Sequence, residues 1–188
     1  IPLSQECLLK QMDSDLKQIQ DVIKTIRSEP GIGAALNREE NYIRKLTGQL
    51  SSLFHTATDE ITFDKLEINT IFVDEAHNFK NIPIRSNLKN IAGVNLKGSL
   101  KCLHMQHVIR CIQEQNNGRG AVLATGTPLS NSISDAYAMQ MYLQPDIMKE
   151  THLDRFDNWI KSFAKPEYVC EIDVDTSKYR YVHRLAKF

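Results

Sequence analysis

The sequence has no excess of either charge, because Lys and Arg together number 23 and Asp and Glu together also number 23. This balance argues against a basic arm that wraps a polyanion, although a local phosphate-binding face is compatible with it. The sequence also has no apolar run long enough to span a bilayer, and its first residues lack the basic and apolar regions of a signal peptide. We therefore expect no membrane partner.

Cysteine is scarce and dispersed, with 4 residues and no C-x-x-C pair. Neither a zinc site nor a disulfide framework is predicted, and a reduced, cytoplasmic compartment is expected. His104 and His107 share a predicted helix with Cys111 and could bind a metal, but the set lacks a fourth ligand. Packed or surface histidines are the favoured interpretation.

Two amphipathic helices are predicted in the first 57 residues. The first covers residues 4 to 28, with Ser4 as its N-cap. Its apolar residues recur every three or four positions: Leu9, Met12, Leu16, Ile19, Ile23 and Ile26. A Gly/Pro turn at residues 30–33 separates it from the second helix, so the pair predicts an antiparallel hairpin. The spacing leaves open whether this hairpin protrudes or forms a layer against a sheet.

Residues 58–188 alternate between strand and helix patterns. A β-branched and aromatic run at 69–73 and an apolar run at 121–124 predict two short buried strands, with a helix from about residue 100 between them. Another helix is predicted from a cap at Ser130 or Asn131 to about Leu143. This order predicts a parallel strand pair with a right-handed crossover, and hence an α/β fold.

The C-terminal part predicts a further helix and a strand pair. Pro145 should end the preceding helix, and Phe156, Trp159 and Phe163 have the spacing of a buried helical face. Residues 168–174 and 179–183 are weak candidates for two paired strands. The sequence begins without Met and ends on Phe188 without a turn, so we expect a piece of a longer protein.

Two motifs lie where the predicted strands end, which is where ligands bind open parallel sheets. Asp74-Glu75-Ala76-His77 follows the first strand, and Thr125-Gly126-Thr127-Pro128 follows the second. Asp74 is suited to hold Mg²⁺ through water, and Glu75 to orient or deprotonate a water that attacks a phosphate. The hydroxyls of Thr125 and Thr127 could bond to His77 or Glu75. A solvated turn and a helix cap would explain each motif alone, but the combination favours an ATPase that uses ATP and Mg²⁺.

The motifs resemble the Swi/Snf-type branch of superfamily 2 helicases. Asp74-Glu75-Ala76-His77-Asn78-Phe79-Lys80-Asn81 is similar to that branch's extended motif II, and the Thr-Gly-Thr-Pro segment is similar to its motif III. Together with Gly118-Arg119-Gly120, the Tyr142-Leu143-Gln144-Pro145 helix end and Ala186-Lys187-Phe188, the pattern resembles large helicase-methylase proteins of bacterial phages, plasmids and conjugative elements.

This resemblance implies a partial RecA-like lobe over residues 58–188, with residues 1–57 as a helical insert. It implies catalytic roles for Asp74 and Glu75, coupling roles for His77, Thr125 and Thr127, and ATP with Mg²⁺ as cofactors. It also implies double-stranded DNA as partner, a methyltransferase domain in the same polypeptide, and the bacterial cytoplasm. The chain has no G-x-x-x-x-G-K-[ST] phosphate loop, so we expect it to be inactive by itself.

The sequence leaves two alternatives open. Lys80, Arg85 and Lys89 follow the first motif in a loop that could contact DNA phosphates, but a solvated loop is an equally good interpretation. The chain could also be a non-catalytic module that binds DNA or protein through its helical hairpin.

Overall fold

A computed structural model describes residues 1–27, 61–86, 94–130, 132–172 and 179–186, together with single positions between 37 and 48. The fold is mixed α/β, with a small parallel two-stranded sheet and flanking helices, which confirms the predicted class. In chain order the elements are α1 (Gln5–Arg27), β1 (Ile71–Val73), α2 (Leu100–Gln115), β2 (Ala121–Leu123), α3 (Ser134–Leu143), α4 (Pro145–Glu150), α5 (Phe156–Phe163), β3 (Lys165–Ile172) and β4 (Tyr179–Ala186).

The chain divides into two compact units. The first contains Ile1–Ile71 and Leu103–Val122, and the second contains Phe72–Cys102 and Leu123–Phe188. The predicted boundary at residues 57 and 58 lies outside the described residues. The predicted second helix of the hairpin also lies outside them, apart from the single positions between 37 and 48, which are helical. The domain division and the hairpin therefore stay predictions.

Helix α1 begins where the sequence predicts. The Ser4 hydroxyl oxygen accepts a hydrogen bond from the Cys7 N–H at 3.1 Å, which is the geometry of an N-cap. The Ser4 hydroxyl in turn donates to the Asp64 carboxylate at 2.7 Å, so a second segment holds the cap in place. The prediction for Leu9 was wrong, because its side chain is 54% exposed while Leu8 is buried. Successive helical residues are rotated by about 100°, so a shift of one residue moves a side chain off the buried face.

The buried face of α1 packs on α2. An apolar cluster joins them, formed by Leu3, Leu8, Leu103, Val108 and Cys111. At the edge of this contact Arg110 binds the Asp15 carboxylate with N–O distances of 2.9 and 3.0 Å. Helix α1 is therefore built into the core of the first unit.

A histidine and a glutamine connect the same two helices inside the core. His107 Nδ1 lies 2.6 Å from Gln11 Oε1, and the Gln11 amide donates to the His107 carbonyl oxygen at 3.3 Å. Both side chains are buried. His107 is thus a packed histidine that serves as a helix–helix contact. Burial lowers its pKa from 6.5 to about 4, and of the charged neighbours Asp15 opposes this shift while Arg110 and His104 add to it.

Helix α2 ends through the predicted Asn/Gly segment. Asn117 and Gly118 have φ values of 51° and 78°, and the Gly118 N–H donates to the Gln113 carbonyl oxygen at 2.8 Å. Two residues later Gly120 has a φ of 103°, and a Cβ atom there would clash with the Asn69 carbonyl oxygen and the Ile112 side chain. Glycine is therefore required at the entry to β2.

Strands β1 and β2 form the parallel pair. The Ile71 N–H donates to the Gly120 carbonyl oxygen at 2.8 Å, and the Ala124 N–H donates to the Val73 carbonyl oxygen at 2.9 Å. The expectation of two buried strands was wrong for their middle residues, because Phe72 is 76% exposed and Val122 is 44% exposed. Successive side chains of a strand point to opposite faces, so covering one face leaves these residues in solvent.

The second unit contains an aromatic core made by α3 and α5. Tyr137, Phe156 and Trp159 are buried, with ring centroids 5.0 to 6.0 Å apart. Pro145 follows the end of α3 as predicted and begins α4. The predicted cap at Ser130 was wrong, because α3 begins at Ser134, and Asn131 lies outside the described residues. The Ser130 hydroxyl is used elsewhere, since it donates to the Asp135 carboxylate and accepts from Lys80 Nζ, both at 3.2 Å.

Strands β3 and β4 form an antiparallel hairpin, which confirms the predicted strand pair. The register runs from Lys165 opposite Ala186 to Ile172 opposite Tyr179, so both strands are longer than predicted. The connecting residues 173–178 lie outside the described ranges.

We predict that the chain loses stability in acid because of His107. Its pKa is 6.5 when unfolded and about 4 when folded. Between these values the unfolded chain binds a proton that the folded chain does not, so stability falls as pH drops from 6.5 and is level above it. The expected loss is about 3 kcal/mol by pH 4. Urea unfolding between pH 4 and 7.5 measures it.

The matched variants are His107→Gln and His152→Gln. The first keeps a polar group that can bond to Gln11 but removes the titrating ring, so the free energy of unfolding should depend less on pH. The second changes an exposed histidine and should keep the wild-type pH dependence. An unchanged slope in His107→Gln would contradict the assignment.

Candidate functional site

The two sequence motifs meet at the carboxyl ends of β1 and β2. The parallel ladder continues past the strands, since the Ala76 N–H donates to the Ala124 carbonyl oxygen at 2.9 Å. Ala76 is buried at this crossing. The structure thereby brings together the five residues that we call the strand-end site: Asp74, Glu75, His77, Thr125 and Thr127.

Asp74 and Glu75 form a tight turn at the tip of β1. The Glu75 N–H donates to Asp74 Oδ1 at 2.8 Å, and both residues are exposed. Glu75 has φ and ψ of 51° and 44°, a left-handed conformation that costs about 1–2 kcal/mol for a residue with a Cβ atom. Such backbone strain clusters at functional sites, where the surrounding structure maintains it.

His77 links the two motifs. Its Nδ1 atom lies 3.0 Å from Glu75 Oε2 and 3.4 Å from Thr125 Oγ1. A carboxylate can only accept a hydrogen bond, so Nδ1 carries the proton and the ring orients the Glu75 side chain. The sequence predicted a contact between a Thr-Gly-Thr-Pro hydroxyl and either His77 or Glu75, and the structure has Thr125 beside His77.

Thr127 joins the site through its backbone. Its N–H donates to Thr125 Oγ1 at 3.2 Å, and its carbonyl oxygen accepts from Lys80 Nζ at 2.5 Å. The two threonines of the motif are therefore connected to one another, and the second is connected to the segment that follows the carboxylates.

The three predicted DNA-contacting residues have different surroundings. The Lys80 side chain is turned inward, where it pairs with Asp135 at 3.1 Å and is only 8% exposed. This burial favours a structural role for Lys80. Arg85 is half-buried, and its carbonyl oxygen accepts from the Phe156 N–H at 3.2 Å. Lys89 lies outside the described residues.

Asp135 and Ser130 contact the strand-end site through Lys80 and the Thr-Gly-Thr-Pro loop, which the sequence did not predict. Asp135 Oδ2 accepts from the Ser130 N–H at 2.9 Å and from Lys80. Lys80 and Asp135 are separated by 55 residues, and neither belongs to a motif whose spacing points to the other. The only available signal was an acidic residue shortly after the Thr-Gly-Thr-Pro segment, and that signal does not identify a partner.

The site offers hard oxygen ligands at an accessible edge. Mg²⁺ is commonly held by one or two carboxylates together with substrate phosphates and water, and Asp74 with Glu75 fits that donor set. Within the described ranges, no group of three or more His, Cys, Asp or Glu residues could enclose a metal ion.

A family model described as "Probable helicase domain" matches residues 1–187. The chain belongs to this family. No curated protein and no solved structure matches the chain. The strand-end site thus lies in a helicase domain. Among the described residues of this helicase domain, no helix has the length and apolar character needed to cross a membrane.

We predict that Glu75→Gly stabilises the helicase domain while removing its carboxylate. Glycine adopts a positive φ without steric cost, so the free energy of unfolding should rise by about 0.5–1 kcal/mol after allowing for the greater freedom of glycine when unfolded. Urea unfolding measures the change.

Glu67→Gly is the matched control, because Glu67 is also exposed and has the same φ of 51° but lies before β1. It should give a similar gain and leave the strand-end site intact. If Glu75→Gly lowered stability while Glu67→Gly raised it, the Glu75 side chain would be holding the turn together, contrary to the strain argument.

Proposed function

We propose that this helicase domain carries the hydrolysis and coupling half of a Swi/Snf-type, DNA-dependent ATPase that moves along double-stranded DNA. The observation that supports this most is the link from Glu75 through His77 to Thr125, with distances of 3.0 and 3.4 Å across two parallel strand ends. Because the resemblance extends to bacterial helicase-methylases, we place the intact protein in the bacterial cytoplasm, with a methyltransferase domain in the same polypeptide.

In this proposal the two carboxylates have separate tasks. Asp74 holds Mg²⁺ through water, and the cation would neutralise charge on the phosphate oxygens of ATP. Glu75 is exposed and orients the attacking water or takes its proton. His77 holds the Glu75 carboxylate in its direction through the contact at 3.0 Å. The phosphate loop and the arginines of a second lobe would come from other parts of the intact protein.

The threonines sense the state of Glu75. Any movement of Glu75 that accompanies ATP binding or hydrolysis would change its contact with His77, and His77 lies beside Thr125. The Thr125 hydroxyl also accepts from the Thr127 N–H, so the change reaches the exposed loop that follows. That loop would pass the change to bound DNA. Arg85 and Lys89 are the candidate contacts to the DNA phosphates.

The interaction-module alternative is constrained by α1. Its inner face is occupied by α2 through the Gln11–His107 and Asp15–Arg110 pairs, so a partner would have to use the outer face, where Leu9 is exposed. Deleting residues 4–56 would also remove Leu8 from the core. Leu9→Glu is therefore the cleaner test of docking by α1.

We predict that Glu75→Gln in the intact protein lowers DNA-stimulated ATP hydrolysis by about 10²-fold or more. The amide has the shape of the carboxylate but can neither take a proton nor carry the charge, and general-base catalysis contributes about that factor. The measurement is phosphate release at saturating ATP with and without double-stranded DNA.

Glu67→Gln supplies the control, since it makes the same chemical change at an exposed glutamate outside the site. It should retain the wild-type rate. DNA-stimulated hydrolysis that survives in Glu75→Gln would refute the catalytic assignment.

A further inference from the structure

A charged pair is nearly removed from water beside the strand-end site. The side chains of Lys80 and Asp135 are 8% and 12% exposed, and Nζ lies 3.1 Å from Oδ2. Lysine and aspartate are almost never buried to this extent unless they are paired, because desolvating either charge is costly. The cost of such a pair is rarely recovered as stability alone, so its position invites a functional explanation.

The three N–H bonds of the Lys80 ammonium have three oxygen partners. Besides Asp135, Nζ donates to the Thr127 carbonyl oxygen at 2.5 Å and to Ser130 Oγ at 3.2 Å. Asp135 Oδ2 binds the other side of the same loop, accepting from the Ser130 N–H at 2.9 Å. The pair therefore attaches to both ends of residues 127–130.

Within the described part of the chain, residues 127–130 make few other contacts that fix their position. Thr127, Pro128, Leu129 and Ser130 are all exposed, and the largest apolar side chain among them, Leu129, is 56% exposed. Hydrophobic burial therefore does not anchor the loop. Its charge-assisted hydrogen bonds to Lys80 and Asp135 are its strongest described contacts.

The pair is itself fixed by α3. The Tyr142 hydroxyl lies 3.0 Å from the carbonyl oxygen of Phe79, the residue before Lys80. Asp135 and Tyr142 are both on α3, seven residues and about two helical turns apart, so they lie on one face of the helix. One helix face thus holds both the segment after the carboxylates and the loop after the second strand.

We propose that Lys80 and Asp135 form a clamp that positions residues 125–130 against Glu75 and His77. The clamp acts through the Thr127 backbone, whose N–H bonds to Thr125 Oγ1, which in turn lies beside His77. Lys80 and Asp135 are positioning residues in this arrangement and do not touch the substrate. The consequence for ATP hydrolysis rests on the function proposed above, whereas the ordering of the loop does not.

The test uses the different effects of breaking a buried ion pair and of replacing it. Removing one partner leaves an uncompensated buried charge, but replacing both with apolar side chains of similar size is often neutral. Lys80→Met alone should therefore lower the urea midpoint, and Lys80→Met with Asp135→Leu should bring it back close to wild type. The double variant still lacks the Lys80 donor to the Thr127 carbonyl oxygen. It therefore tests the ordering of the loop in a protein whose overall stability is close to wild type.

The first readout is hydrogen exchange of the Thr127 amide, measured by NMR on this chain. In the double variant we expect exchange at least about tenfold faster than in wild type, because the charge-assisted bond that holds this residue is gone. An equally slow Thr127 amide in a folded double variant would overturn the proposal.

The control is Arg110→Met with Asp15→Leu, which replaces the partly buried ion pair between α2 and α1. Thr127 exchange should be as slow in this variant as in wild type. Acceleration there too would mean that loss of any ion pair loosens the loop, and would likewise overturn the clamp.

The second readout is ATP hydrolysis by the intact protein. We expect the Lys80→Met, Asp135→Leu variant to lower kcat with DNA by at least about tenfold, with little change in KM for ATP, because the clamp orders the site without binding nucleotide. Glu75→Gln, measured in parallel, separates the two proposals. If Glu75→Gln is inactive and the double variant keeps its full kcat, the clamp's role in hydrolysis is wrong. If Glu75→Gln stays active, the proposed function fails while Thr127 exchange still decides the clamp.

Discussion

The short parallel ladder between β1 and β2 is the constraint on which the strand-end site depends. Backbone bonds from Ile71 to Gly120 and from Ala124 to Val73 align the strands, and a further bond from Ala76 to Ala124 carries the alignment past their ends. Parallel pairing brings both carboxyl ends to the same edge, which places the acidic turn beside the Thr-Gly-Thr-Pro segment.

The strand-end site combines an accessible outer part with a buried support. Asp74 and Glu75 are exposed, which leaves their carboxylates accessible from solvent. Behind them the charge of Lys80 is neutralised out of solvent by Asp135. The left-handed backbone at Glu75 fits the same division, because a strained turn can persist only where neighbouring contacts hold it. The site therefore combines exposed carboxylates at its edge with a buried charged pair beside it.

The two units use polar groups in their interiors in different ways. In the first unit, Gln11 and neutral His107 bond to each other inside the contact between α1 and α2, and the partly buried Arg110–Asp15 pair lies at the edge of that contact. In the second unit, Lys80 and Asp135 form a charged pair beside an exposed loop. A neutral glutamine–histidine pair links two helices inside an apolar contact, whereas a lysine supplies three donors that reach the loop backbone and the carboxylate together.

The sequence by itself determined the α/β class, the cap of α1, the end of α2 and the order of the two motifs. These features follow from local chemistry: a serine hydroxyl at a helix start, glycines where φ is positive, and polar residues directly after apolar strands. Tertiary structure alone decided that Leu8 rather than Leu9 faces the core and that Phe72 is exposed. It also decided that α3 begins at Ser134 and that Lys80 turns inward to Asp135. Each of these depends on which neighbour covers a face or supplies an opposite charge, and such neighbours lie far away in the chain, where periodicity and spacing carry no information about them.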